Sequence, residues 1–403
     1  MTTTINNEHK KLNVPNLRFP EFLGEWEKTK FGDIATGFDY GMNAAAKNYD
    51  GVNKYIRITD IDEASSTYTD KDIVSPDGVL TDNYLVNNRD ILLARTGAST
   101  GKSYLYKKSD GKLYYAGFLI RANVTTHDPY FVFSQLHTHR YWRWVSIMSA
   151  RSGQPGINSQ EYSSFPIYTT SIEEESKIAK LLSLLDERIA TQNKIIEDLK
   201  KLKSAIIEEH YRQTEKNDVC VADLGNHFNV GNLAKDDLSE TGKPCIIYGE
   251  LFTTYGEIIS QIESHTNKTE GMILSKKGDL LFPSSTTVDA VSLIAPSVIN
   301  VDNVILGGDM FGIHISHNYN AQYLSYYFNH IAKKQLAKFA KGSTIIHLHY
   351  TDIEKAKLLL PSLEEQNRMA KCLVALDKKV SVEQNLLSSL TCQKSYLLQQ
   401  MFI

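Results

Sequence analysis

Ser171–Ile189, SIEEESKIAKLLSLLDERI, returns 191 residues later as Ser362–Val380, SLEEQNRMAKCLVALDKKV, in register and without a gap. Eight positions coincide: Ser171/Ser362, Glu173/Glu364, Glu174/Glu365, Ala179/Ala370, Lys180/Lys371, Leu182/Leu373, Leu185/Leu376 and Asp186/Asp377. The match continues more weakly to Tyr211 and Phe402. A repeat of this kind is read first, because it sets the number of structural units.

Each copy opens like a helix. Ser171 or Ser362 stands as N-cap, and Glu174 or Glu365 follows three residues on, the spacing of a capping box. Apolar residues then step by three and four: Ile178, Leu182, Leu185, Ile189, Ile196 and Leu199 in one copy, Met369, Leu373, Leu376, Val380, Leu387 and Leu390 in the other. That narrow stripe is a coiled-coil seam and wants a helical partner; pairing of the two copies with each other is favoured over two amphipathic helices each packed on its own domain. At about 1.5 Å per residue each helix is expected to run on the order of 60 Å.

Between the helices lie two globular stretches, 26–170 and 217–361, after a polar segment 1–25; the helices take 171–216 and 362–403. The globules share marks: Phe31-Gly32-Asp33 answers Leu224-Gly225-Asn226, Tyr55-Ile56-Arg57-Ile58 answers Cys245-Ile246-Ile247-Tyr248, and Asp90-Ile91-Leu92-Leu93 answers Asp279-Leu280-Leu281-Phe282. Short β-branched and aromatic runs between Gly, Asp and Asn turns indicate mixed or mainly β domains. Helical segments are expected over Tyr130–Met148 and Tyr319–Lys341. The chain is therefore α+β, ordered globule, long helix, globule, long helix.

Composition narrows the function classes. At 403 residues the chain exceeds one core of about 100–200 residues. With 42% hydrophobic and 23% charged residues it has a globular composition. Without an apolar run of about 18–20 residues, and with a polar start, no membrane span or signal peptide is expected, which points to the cytoplasm. Cys220, Cys245, Cys372 and Cys392 form no C-x-x-C pair, so reduced thiols are expected. A net charge of −3 carries no basic excess, so a nucleic-acid role rests on local clusters.

Four enzyme-like motifs fall short. Gly97-Ala98-Ser99-Thr100-Gly101-Lys102-Ser103 is one residue shorter than a P-loop and leads into a strand-like run instead of a helix. Asp128-Pro129-Tyr130-Phe131 lacks the second proline of an amino-methyltransferase box and reads as a helix start. Asp77, Asp110 and Lys112 have the residue types of a metal-dependent nuclease, yet Asp77-Gly78 and Asp110-Gly111 are turn dipeptides. His347 and His349 alternate around Leu348 on one face, without carboxylate or cysteine at ligand spacing, so no metal site is expected.

The remaining chemistry is polar and basic. In the first globule Lys54, Arg57, Arg95, Thr96, Ser99 and Lys102 lie around two strand ends; Lys243, Tyr248, Ser284 and Ser285 take corresponding places in the second. A second pair of loops precedes the long helices, with Arg151, Gln154 and Asn158 in one and Lys341, Ser343, Thr344, His347 and His349 in the other. Hydroxyls and amides in such loops bind phosphate, and Arg reads guanine through two donors. These residues are the candidate DNA contacts; no catalytic or metal-ligating residue is assigned.

With Asn16-Leu17-Arg18-Phe19-Pro20, Gly24-Glu25-Trp26 and Leu224-Gly225 at the globule entries, and Pro361-Ser362-Leu363-Glu364-Glu365-Gln366 at a helix start, the chain resembles the specificity subunit of type I restriction-modification enzymes over nearly its whole length. The first helix start departs from the pattern, with Thr170 for the proline and Glu175 for the glutamine. The resemblance implies two mixed α/β target-recognition domains joined by two long helices in an antiparallel coiled coil with pseudo-two-fold symmetry. Each domain is expected to read one half of a split double-stranded DNA site. It also implies no catalysis and no cofactor in this chain, S-adenosylmethionine on a methyltransferase partner, and docking to two methyltransferase and two motor-nuclease subunits. A DNA-acting enzyme with its own active site and a protein-only coiled-coil scaffold are the alternatives.

Overall fold

The computed structural model describes residues 12–150 and 155–403. They fall into two compact units: one takes the chain up to Asn193 together with Asn385–Ile403, the other Lys194–Gln384. Each unit thus holds one globule and half of each long helix, a division that no linear boundary at the globule ends predicts. The long helices run Ile172–Gln213 and Leu363–Gln400. Both start on the expected serine caps, Glu174 N donating to Ser171 Oγ and Glu365 N to Ser362 Oγ, each at 3.3 Å, while the two carboxylates turn to other partners, Arg18 and Arg368 among them.

The helix halves pair antiparallel within each unit. In the second, Lys203 meets Asp377 at 2.8 Å and His210 meets Glu365 at 3.1 Å, so one chain ascends as the other descends. In the first, Lys394 meets Asp186 at 2.6 Å. Ile178, Ala179 and Leu182 join a core that also holds Met401 and Phe402. Half of the expected seam is fully buried, Ile178, Leu182, Ile196, Met369, Leu373 and Val380, and the other half, Leu185, Ile189, Leu199, Leu376, Leu387 and Leu390, is partly buried.

The two globules share a plan. In the first unit the strands Ala35–Tyr40, Leu119–Val124, Asp90–Ala94 and Ser103–Leu105 form an antiparallel sheet in that order. In the second, Gly225–Asn229, Met310–Ile315, Asp279–Pro283 and Ser297–Ile299 repeat it, and Ile258–Ile259 adds an edge strand in parallel. The strands Asp90–Ala94 and Asp279–Pro283 are buried at every residue because cores cover both faces: Ile91 and Leu93 enter one cluster and Leu92 and Ala94 another, as Leu280 and Phe282 enter one and Leu281 another. Beside each sheet a parallel pair recurs, Lys54–Ile56 with Leu113–Tyr115 and Lys243–Ile247 with Ile305–Gly307.

Two expectations are corrected in detail. The helical segment over Tyr130–Met148 is two helices, Pro129–Gln135 and His139–Ser149, because Thr138 caps the second by accepting from Tyr141 N. Its counterpart breaks into Ala321–His330 and Lys333–Leu336 followed by a single 3₁₀ turn. The globule entries align on Asp33 and Asp223, not on the glycines. Asp33 accepts from Lys30 N at 3.1 Å and Asp223 from Cys220 N at 3.0 Å, and both close the same short turn.

The departure at Thr170 and Glu175 is one coupled change. In the second unit Gln366 Oε1 accepts from Asn320 N at 3.0 Å, and Nε2 donates to Pro361 O at 2.9 Å. In the first, Glu175 Oε2 accepts from Asp128 N at 3.0 Å. Its Oε1 accepts from Thr170 N at 3.2 Å and lies 2.9 Å from His127 Nδ1. Both side chains hold the N-cap of the neighbouring globule helix. Thr170 keeps the N–H that Pro361 lacks, so a carboxylate replaces the amide. Burial raises the Glu175 carboxyl above its ordinary value, against the Asp128 hydrogen bond and the His127 charge. We expect E175Q and T170P each to cost about 1–2 kcal/mol, and the double variant to recover about 1 kcal/mol relative to their sum. A denaturant double-mutant cycle measures this, and strict additivity would contradict the coupling.

Candidate nucleic-acid interface

The structure brings the two candidate loops of each globule together. In the first unit the chain leaving Asp90–Ala94 runs beside the segment before the helix Ser159–Ser163. Thr96 bridges Gly156, Gly97 N donates to Pro155 O at 3.0 Å, and Ile157 N donates to Arg95 O at 2.9 Å. In the second unit Ser285–Thr286, just after Asp279–Pro283, pairs antiparallel with Ile346–His347, and Leu348 N donates to Ser284 O at 2.9 Å. The loops are shaped by glycine where a side chain has no room. Gly101, at φ +94°, would bring a Cβ within 2.8 Å of Val145, and Gly342, at φ +112°, within 2.1 Å of the Ile345 carbonyl.

Side-chain partners separate the candidates. Lys54 Nζ donates to Asp110 O at 2.8 Å and lies 5.4 Å from the Tyr68 ring. Arg57 holds Asp60 through Nε and Nη2 at 2.9 and 2.8 Å and reaches Asp72 at 3.0 Å. The Asp60 hydrogen bond raises Arg57 above the ordinary arginine value. Lys102 pairs with Glu63 at 3.0 Å. These three cations are spent on internal partners and are weaker candidates for DNA. Arg95 differs: its guanidinium lies 4.7 Å above the Tyr40 ring, its Nε is buried without a partner, and its side chain makes no hydrogen bond or ion pair with any described residue.

Arg95 and Thr96 line a cleft of about 400 Å³ with Met148, Gly156, Ile157, Asn158 and Glu161. Asn158 is a helix cap, accepting from Glu161 N at 2.9 Å, while Glu161 accepts from Asn158 N at 2.8 Å. Ser99 is half-buried, its carbonyl accepting from Lys102 N at 3.0 Å. Arg151 and Gln154 lie outside the described residues.

In the second unit Ser284 and Ser285 are buried, so the backbone carries that loop's contacts. Lys341 pairs with Asp352 at 2.5 Å, and its backbone meets His347 in both directions. Ser343 and Thr344 are exposed at the tip beside exposed Ile345. His347 and His349 stack with ring centroids 6.1 Å apart, and His349 N donates to Asp352 at 2.9 Å. Lys243 opens the strand Lys243–Ile247, exposed opposite Thr266, and Tyr248 lies in the turn just after it, against Gly308.

The enzyme-like motifs have structural uses. Gly97–Ser99 is a 3₁₀ turn followed by the strand Ser103–Leu105. Asp128 caps its helix through Tyr130 N and Phe131 N. Asp110 accepts from Tyr104 at 2.5 Å, and Asp77 is exposed beside Lys47. Among the described residues no group of three His, Cys, Asp or Glu side chains is placed to hold a metal.

Sequence reasoning missed Tyr40, Met148 and Glu161. Tyr40, at the end of its strand, is 43% exposed, and its hydroxyl accepts from Ser159 N at 3.3 Å. An aromatic at an outward strand end was visible, but its arginine lies 55 residues away.

A family described as "Type I restriction modification DNA specificity domain" matches residues 24–201 and again 214–391. The chain is 24% identical over 397 residues to the type I restriction enzyme MjaVIII specificity subunit of Methanocaldococcus jannaschii, covering 91% of this chain and 89% of that one. A putative MjaX specificity subunit of the same organism is 24% identical over 403 residues, covering 93% and 92%. In fold, the chain is similar to the S subunit of a type I restriction-modification system from M. genitalium, with TM-score 0.63 at 16% identity over 97% of this chain and 99% of that one. A second similar chain comes from structures of complex assembly and conformational transition in a type I R-M system, with TM-score 0.55 at 15% identity over 94% and 97%.

Proposed function

Because this chain belongs to the type I restriction-modification DNA specificity family, we propose that it is the DNA-reading subunit of such a system, with each unit recognising one half of a bipartite double-stranded site. The observation that carries this reading is the loop pair built alike in both globules, Thr96 with Gly156 and Ser285 with His347. Conserved architecture with divergent loop residues suits two readers of different half-sites, since loop chemistry sets base choice while the frame positions it. The relatives are named specificity subunits, and the chain acts by directing catalysis on partners. Methyltransferase subunits carry S-adenosylmethionine and modify adenine, and motor-nuclease subunits restrict. The internal repeat offers two equivalent docking faces, which suits two copies of each partner. Among the described residues no helix is long and apolar enough to cross a membrane, in keeping with work on DNA in the cytoplasm.

Adenine methylation mapped in cells expressing this chain with a type I methyltransferase partner tests the reading. A split motif with a fixed gap, present only with the chain, is expected. A complex that forms without any new motif would overturn it in favour of a protein-only scaffold. DNA methylated or cut by the purified chain alone would favour the enzymatic alternative.

A further inference from the structure

We infer that Arg95, held on the face of Tyr40, is the base-reading side chain of the first unit, and that it recognises a guanine in that unit's half-site. The inference rests on the DNA-reading function proposed above. Arg95 is clamped on both sides of its backbone: its N–H donates to Phe118 O at 3.1 Å and its carbonyl accepts from Ile157 N at 2.9 Å. Tyr40 is fixed as well, paired through its strand with Ile120 and tied through its hydroxyl to Ser159 N. The guanidinium therefore stands pre-positioned in the cleft by stacking, a mode that leaves its edge donors free.

The other first-unit arginines with assigned contacts differ in kind. Arg57 meets Asp60 and Asp72, Arg121 meets Asp39 and the Leu85 carbonyl, and Arg89 meets carbonyls; Arg140, also stacked on a tyrosine with a buried, unpartnered Nε, gives its Nη atoms to Pro166 O and Gln135 Oε1. Glu161, the carboxylate in the Arg95 cleft, is turned to the Asn158 backbone. With Arg95 Nε enclosed by protein, the terminal Nη1 and Nη2 are the donors that the side chain has left to offer a ligand in the cleft. Two acceptors match an arginine fork, guanine O6 with N7 in the major groove and a phosphate. The fixed, stacked geometry inside a cleft favours the base edge, because a phosphate needs only a cation within reach. The matching loop of the second unit offers buried serines and the His347/His349 pair, so only one half-site depends on arginine.

Methylation maps of the full chain with its methyltransferase partner, for wild type, R95K, Y40L and Y40F, test this. R95K keeps the charge and loses the fork. It is expected to relax one guanine position in one half-site by about 5- to 150-fold in discrimination while the other half-site stays unchanged. Relaxation appears as newly methylated sites, which a misfolded chain cannot produce. Tyr40 acts as a positioning residue: Y40L is expected to relax the same position more weakly, and Y40F to behave as wild type. An unchanged motif in R95K, with or without uniformly lower methylation, assigns Arg95 to phosphate or to the fold and overturns the inference while the DNA-reading function stands. A wild-type chain that yields no split motif overturns both.

Discussion

K203M is expected to destabilise the second unit by about 3–5 kcal/mol, the cost of removing one partner from a buried ion pair and leaving the other charge behind. Lys203, 12% exposed, bridges Glu257 at 3.0 Å and Asp377 at 2.8 Å. His330 adds a contact to Glu257 at 3.0 Å, and the Tyr326 hydroxyl donates to Asp377 at 2.5 Å. Burial alone pushes the Glu257 carboxyl up. The His330 hydrogen bond and the Lys203 charge outweigh that and hold it at about 2. Because the folded value lies below the unfolded one, this carboxylate contributes stability above the ordinary value of 4.5, and the contribution is lost as pH falls from there towards 2. Without Lys203 burial loses one of its two opponents and protonation becomes easier, so the gap between K203M and wild type is expected to narrow below about pH 5.

Denaturant unfolding at pH 7 and pH 4.5, with hydrogen exchange to localise the loss to Lys194–Gln384, measures the effect. The repeat supplies a control. Lys394 stands 191 residues beyond Lys203 and meets Asp186, which also takes the Tyr130 hydroxyl. No second carboxylate is paired with it among the described residues, so K394M is expected to cost clearly less. Equal losses, or a K203M loss below about 1 kcal/mol, would show that Lys203 behaves as an ordinary surface pair.

F402A is expected to cost the first unit about 3–5 kcal/mol, the range for deleting a buried aromatic ring. Phe402 is 6% exposed, with its ring 5.3 Å from Phe131 and 6.0 Å from Trp26, which lie 5.4 Å from each other. The C-terminal turn thereby closes the core that carries the first globule. F402L keeps most of the apolar volume and is expected to lose much less. Tyr211, the repeat counterpart, is half-buried and packs on Tyr327 at 5.7 Å, so Y211A is expected to be milder. Thermal unfolding with hydrogen exchange over Glu27–Lys30 and Pro166–Thr169 reads the loss. Wild-type exchange there in F402A would show that the ring is dispensable.

Much of this architecture is local and hence legible in the chain itself. The capping boxes at Ser171 and Ser362, the seam from Ile178 and from Met369, and the all-apolar strands after Asp90 and Asp279 rest on spacings of two to four residues. Helix and strand periods act over that range. The repeat matches one globule to the other and sets the candidate loops at corresponding positions.

Tertiary structure decided which charges remain available. Composition counts Lys54, Arg57, Arg95 and Lys102 as equal cations, but folding brings Asp110, Asp60, Asp72 and Glu63 to three of them and Tyr40 to the fourth. It likewise set Lys203 against Asp377, 174 residues away, and Phe402 beside Trp26 at the other end of the chain. Side-chain pairing depends on helix register and on strand order, which bring together residues that no local pattern relates. Local pattern was enough for the long helices, the buried strands, the duplication and the family, but not for where the globule helices break. The fold alone determined the side-chain partners, because a charge or a ring is free or spent only in relation to what packs against it.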